Sequence, residues 1–115
     1  MGTHELRAGA RIPVSRRASL NAGKNAWFPC MVMDVSDNGF AMLSNRELAI
    51  GQTLEFRCEL FPQKVLDCRL EIRHYRDGEL GTKIVEIDPE GRDLVQHFLR
   101  EKYSERKRRA RKLRR

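Results

Sequence analysis

The sequence predicts a mainly β fold: a six-stranded antiparallel β-barrel followed by a C-terminal α-helix. Three observations carry that expectation. Apolar and charged residues alternate with period two from Leu54 to Leu60 and again from Leu66 to Ile72, as strands with one buried face require. Turn residues punctuate short apolar runs at regular spacing, which suits a small barrel or sandwich. After Asp88 the period changes to a helical one. Six strands gain from closure, because a closed sheet removes or shortens exposed edges.

Taken in order, residues 1–11 are polar and small and read as a flexible, arginine-bearing arm. Ile12–Leu20 reads as a first strand of polar character, with Arg16-Arg17 at an edge. Asn21-Ala22-Gly23-Lys24-Asn25 is a turn cluster. Trp27–Val35 is the second strand, and Pro29, which has no amide proton to give a ladder, implies an edge or bulge near its start. Asp34–Gly39 turns the chain into Phe40–Ser44. A short connection ending in Gly51 leads to Thr53–Leu60, and Phe61-Pro62-Gln63-Lys64 turns it into Val65–Tyr75, the longest strand. Asp77-Gly78 is a strong hairpin signal, returning the chain through Leu80–Ile87.

Asp88-Pro89-Glu90 starts the helix: Asp can cap, Pro is tolerated at the first helical position, and acidic residues suit the positive end of the helix dipole. Leu94, Val95, Phe98, Leu99 and Tyr103 form its apolar stripe. Barrel and helix thus occupy residues 12–103. Residues 104–115 form a basic tail, either a solvated helix extension or a disordered end.

Charge must be located before it is interpreted. The chain has 115 residues and a net charge of +7. Residues 100–115 hold ten Lys and Arg against two Glu, so the remainder is close to neutral. A basic segment of this kind is an interaction tail or a solvated end, whereas a neutral barrel is not itself a nucleic-acid grip. No apolar run approaches the ~20 residues that span a bilayer. The first residues lack the basic and apolar regions of a secretory signal, and the expected location is the cytoplasm. Three cysteines without close pairs fit neither a disulfide framework nor a zinc site. Cys58 shares the apolar face of Leu54, Phe56 and Leu60, and Cys68 that of Leu66, Leu70 and Ile72, so both read as small core residues. His4, His74 and His97 show no metal-ligand spacing. With no nucleophile–base pair and no metal set, the expectation is a protein that binds rather than catalyses.

Two short motifs remain. Arg7 and Arg11 form Arg-x-x-x-Arg ahead of the first strand, and after 22 intervening residues comes Asp34-x-Ser36-x-x-Gly39. Either alone is weak, and the second reads as an ordinary turn. In this order, within about 100 residues of strand ending in a helix, they resemble the PilZ domain family over roughly residues 5–103. The resemblance implies a six-stranded barrel that binds the bacterial second messenger cyclic di-GMP, and no cofactor. It implies ligand contacts at Arg7, Arg11, Asp34, Ser36 and Gly39, with Leu6 and His74 as additional candidates.

The chemistry agrees. A guanidinium fork matches phosphate oxygens or guanine O6 and N7 bidentately, and lysine cannot copy that plane. Residues four apart on an extended arm lie roughly 13 Å from each other, enough for Arg7 and Arg11 to grip opposite ends of a compact ligand. Ionised Asp34 only accepts, which suits guanine N1–H and N2–H₂. The Ser36 hydroxyl donates or accepts, and Gly39 leaves the backbone bare.

Two positions depart from the family pattern. His74 and Tyr75 compete for an aromatic place near the ligand, with His74 continuing the apolar face of Leu70 and Ile72. Ile84 stands where the family commonly has Phe. The resemblance implies that Leu6, directly before Arg7 where some relatives have Arg, favours one bound ligand over a stacked pair. The expected mechanism is ordering of the arm by a dianionic ligand, read by an unidentified downstream protein in motility, polysaccharide or biofilm control. The alternative is a small β-barrel module that acts through residues 104–115 on nucleic acid, an anionic surface or a docking protein.

Overall fold

The computed structural model describes residues 10–113. Six strands form a closed antiparallel barrel: β1 (Ile12–Asn21), β2 (Trp27–Val35), β3 (Phe40–Leu43), β4 (Thr53–Phe61), β5 (Lys64–Arg76) and β6 (Glu79–Glu86). Their order around the barrel is β1-β2-β3-β6-β5-β4. One helix, α1, follows at Pro89–Leu113. The period-two reading of β4 and most of β5 holds: Leu54, Phe56, Cys58 and Leu60 point inward, as do Leu66, Leu70 and Ile72. Phe40 and Phe56 meet at the centre, their rings 4.7 Å apart. Asp77 and Gly78 both adopt positive φ (50° and 84°), the backbone a two-residue hairpin turn demands.

Arg16-Arg17 lie, as expected, where β1 has a strand partner on one side only. β1 reaches β4 only through Ser19, Leu20 and Asn21, and the gap below is filled by a side chain. Arg16 Nη1 donates to the carbonyls of Glu59 (3.2 Å) and Leu60 (2.9 Å), and its guanidinium lies 5.2 Å from the centre of the Phe98 ring. Arg16 thus seals a barrel corner under the helix, and only Arg17 is exposed.

α1 is capped by Asp88, whose side-chain oxygen accepts from the Gly91 amide at 2.6 Å. Val95, Phe98 and Leu99 are fully buried against β1, β4 and β5. From Arg106 to Lys112 every residue is exposed, yet the helix continues. Of the two readings of the basic segment, the described residues form the solvated helix extension.

Candidate functional site

Register brings the candidate site together. Reading across the sheet, Pro13 pairs with Asp34, Asp34 with Ala41, Ala41 with Gly81, and Gly81 with His74. Directly opposed residues share a face. The neighbours Val35, Phe40, Met42, Leu80 and Thr82 are buried, so this row of five lies on the outside of the barrel. Its middle is small (Ala41, Gly81) and its flanks are polar (Asp34, His74). The result is a shallow trough across strands β1, β2, β3, β6 and β5.

Three β-bulges shape it. The register slips between Pro13 and Arg16 in β1, between Val32 and Asp34 in β2, and between Ile72 and His74 in β5. A bulge adds one residue and re-aims those beyond it. The third overturns the expectation for His74. Parity placed it on the buried face, but the extra residue flips it outward: His74 is exposed and Tyr75 is half-buried against the core. The His74 ring lies over Gly81, where a Cβ would come within 2.8 Å of Cδ2. Gly81 is therefore the floor on which the imidazole rests.

Arg11 enters from the position just before β1. Its Nη1 donates to Asp34 Oδ1 at 2.8 Å, joining the two motifs that the sequence separates by 23 positions. The Arg11 side chain remains 56% exposed, against 25% for Asp34. A guanidinium carries five N–H donors, so most of the fork stays available. Arg11, Ala41, His74, Arg76 and Gly81 line one open cavity of about 490 Å³. Arg76, 92% exposed in its side chain, was missed by sequence reasoning. Its position beside the Asp77-Gly78 turn was a signal, but only the β3–β6 pairing shows that this hairpin reaches the site.

Ser36 and Gly39 are built into the turn itself. The buried Ser36 hydroxyl donates to the Gly39 carbonyl (3.1 Å) and accepts from the amides of Gly39 (3.2 Å) and Asn38 (3.4 Å). One donor and two acceptor positions are all a hydroxyl has, so its capacity is spent inside the turn. At Gly39 a Cβ would sit 2.0 Å from the Thr82 carbonyl oxygen. The bare backbone is needed by β6. Further bonds fix the turn: Ile84 N donates to Asn38 O at 2.7 Å, Phe40 N to Thr82 Oγ1 at 3.2 Å, and the Arg92 guanidinium of α1 to Asp37 O. Ser36 and Gly39 hold Asp34 in place without facing the trough. Arg7 and Leu6 lie outside the described residues.

A family profile described as PilZ domain matches residues 5–101 of the chain. Solved structures share its fold. The inhibitor of motility (MotI/DgrA) of Bacillus subtilis superposes with a TM-score of 0.71 at 14% identity, covering 89% of this chain and 54% of that one. The PilZ domain of YcgR from Escherichia coli, solved with c-di-GMP, gives 0.67 at 17% identity, covering 93% of this chain and 97% of that one. The PlzA protein of Borreliella burgdorferi, solved in complex with c-di-GMP, gives 0.63 at 18% identity, covering 84% and 42% respectively. The chain thus spans about half the length of the first of these proteins and nearly all of the isolated YcgR domain. No curated protein sequence matches it.

Proposed function

The chain belongs to the PilZ domain family, and from that premise we propose that it is a receptor for cyclic di-GMP and acts by binding, not catalysis. The observation that carries the reading is the Arg11–Asp34 bond, which sets a guanidinium fork and a carboxylate side by side at the rim of an open trough. A cyclic dinucleotide presents two phosphodiesters and two guanines. Arg11 offers charge-assisted donors to a phosphate or to guanine O6 and N7, and Asp34 accepts from guanine N1–H and N2–H₂. The small floor of Ala41 and Gly81 admits a flat base. The exposed His74 ring offers it a face, and Arg76 adds a second cation to the same cavity.

Arg7, one step back along the arm, completes the grip in this reading. The dianionic ligand draws two arginines together that would otherwise repel, and so orders the arm over the barrel. A downstream protein then reads the ordered surface, in control of motility, polysaccharide or biofilm, and we place this event in the cytoplasm. Among the described residues no helix is long and apolar enough to cross a membrane.

Calorimetric titration of cyclic di-GMP into the purified chain tests the proposal. Saturable heat with a matching thermal shift supports it. Neither heat nor shift at ligand concentrations far above micromolar would rule it out.

A further inference from the structure

The far end of α1 is not used by the proposed ligand site. Its core contacts end at Tyr103, and the exposed stretch 106–112 carries six Lys and Arg among seven residues. At about 100° of rotation per residue, these six spread around the whole circumference. The widest sector without a cation is about 100°, and Ala110 stands in it. A flat anionic surface would meet one side of such a rod and leave the other cations in water. It would also find no apolar face to bury, which an interfacial helix requires. An occupant that surrounds the rod uses all six. The major groove of B-form DNA is wide enough to admit an α-helix and is walled by phosphates.

A second feature points the same way. Where α1 leaves the barrel it forms a groove of about 220 Å³ with β1, lined by residues 12–16 and by Lys102, Glu105, Arg106 and Arg109. Four of these nine are cationic. Arg16 is committed to the carbonyls of Glu59 and Leu60, and Lys102 lies 3.5 Å from Glu105. Arg106 and Arg109 have no hydrogen-bond or ion-pair partner among the described residues. Two free guanidinium groups at the root of a basic rod fit the phosphate strand beside a filled groove.

We propose that the projecting end of α1 inserts into the major groove of duplex DNA, with Arg106 and Arg109 holding the adjacent phosphate backbone at the mouth of the β1 groove. Such binding is independent of base sequence and of the Arg11 trough. Six phosphate contacts predict a log–log slope of affinity against salt of about −5, or about a 10³-fold loss between roughly 50 and 200 mM.

The test is fluorescence anisotropy of a short labelled duplex of mixed sequence, as DNA and as RNA, titrated with the full chain and with the variant Arg106→Gln/Arg108→Gln/Arg109→Gln/Arg111→Gln. Gln propagates a helix nearly as well as Arg, so the variant keeps its melting temperature and its response to cyclic di-GMP. A second variant ending after Tyr103 repeats the test should the first misfold. The expected result is steeply salt-dependent binding of the DNA duplex, weakened more than tenfold in either variant. The RNA duplex, whose A-form major groove is too narrow for the helix, should bind more weakly, and tighter binding of RNA would overturn groove insertion. Equal affinity of wild type and variants would overturn the proposal. So would a wild type that leaves both duplexes free yet binds vesicles of phosphatidylserine and phosphatidylcholine.

Discussion

Arg11 reaches Asp34 across the β1–β2 ladder, Nη1 to Oδ1 at 2.8 Å, because Pro13 and Asp34 are register partners and Arg11 lies two residues before Pro13. Two motifs that look unrelated along the chain thus form one ion pair. The pair is partly exposed, Arg11 more than Asp34, and surface pairs contribute little to stability, about 0–1 kcal/mol. Its geometry instead keeps a guanidinium fork at the rim of the trough, where it would otherwise sweep through solvent.

Arg11→Ala should therefore separate binding from folding. We expect cyclic di-GMP affinity to fall at least tenfold by calorimetry, from loss of a charge-assisted contact worth on the order of 2 kcal/mol. The melting temperature should move by no more than a few degrees. Arg11→Lys should recover little of the affinity, since an ammonium lacks the planar fork. Full affinity in the Lys variant would mean that charge alone, without bidentate geometry, serves the site.

Gly39→Ala should behave in the opposite way. A Cβ there meets the Thr82 carbonyl oxygen at 2.0 Å, and neither backbone can yield without breaking the β3–β6 seam. The cost should be on the order of 3 kcal/mol or more, read as a lower urea midpoint in the absence of ligand. If Gly39 served only to admit a ligand, the variant would unfold normally and fail only in the binding assay.

Ser36→Ala belongs to the same class but is milder. It strands the buried Gly39 amide, which loses its hydroxyl partner, so we expect a loss of about 1–3 kcal/mol. Ligand affinity should fall less than in Arg11→Ala, because Asp34 loses only the support of its turn.

The strands, the hairpin at Asp77-Gly78 and the Asp88 cap were legible because each rests on local chemistry: alternation, positive φ or a side-chain oxygen three residues before an amide. What stayed hidden depends on partners distant in sequence. Nothing about Arg73 or its neighbours announces the extra residue that turns His74 outward, because this bulge carries no glycine. Gly39 and Ser36 are turn residues in any reading. That the space at Gly39 belongs to Thr82 follows only from the non-sequential β3–β6 pairing, which also brings Arg76 to the trough. The helical state of residues 104–113 was open because Lys, Arg and Glu suit a helix and a solvated coil alike.

The buried thiols predict an alkaline limit to stability. Burial pushes Cys30 from its ordinary 9.0 up to about 12, helped by neighbouring Cys58, and pushes Cys58 up to about 11 against the pull of Arg16. A folded pKa above the unfolded one stabilises the fold below the unfolded value. Above about pH 9 the unfolded chain releases protons that the folded chain keeps, so stability declines until the folded thiols ionise near pH 11 to 12. Each thiol contributes a slope of up to about 1.4 kcal/mol per pH unit in that window. Urea unfolding between pH 8 and 10.5, roughly the span where the slope develops, should show the decline. Cys30→Ala/Cys58→Ala should reduce it, whatever the variant loses in absolute stability, leaving the part due to Cys68, which burial also pushes up to about 12. An unchanged slope would assign the decline to other groups.

Substitutions at His74 and Tyr75 test the bulge in β5 directly. If alternation continued past Ile72, His74 would be the buried residue and Tyr75 the exposed one. The bulge reverses them: His74 stands in solvent over Gly81, and Tyr75 packs against the core. Tyr75→Ala should then cost about 1–3 kcal/mol, since it removes a partly buried aromatic side chain. His74→Ala should leave stability within about 0.5 kcal/mol, as surface substitutions do. The same His74 variant should weaken cyclic di-GMP several-fold, because the ring beside Arg11 and Arg76 no longer offers its face to a base. Paired urea melts and calorimetric titrations read both quantities. A destabilised His74→Ala beside a neutral Tyr75→Ala would restore simple alternation and remove the imidazole from the trough.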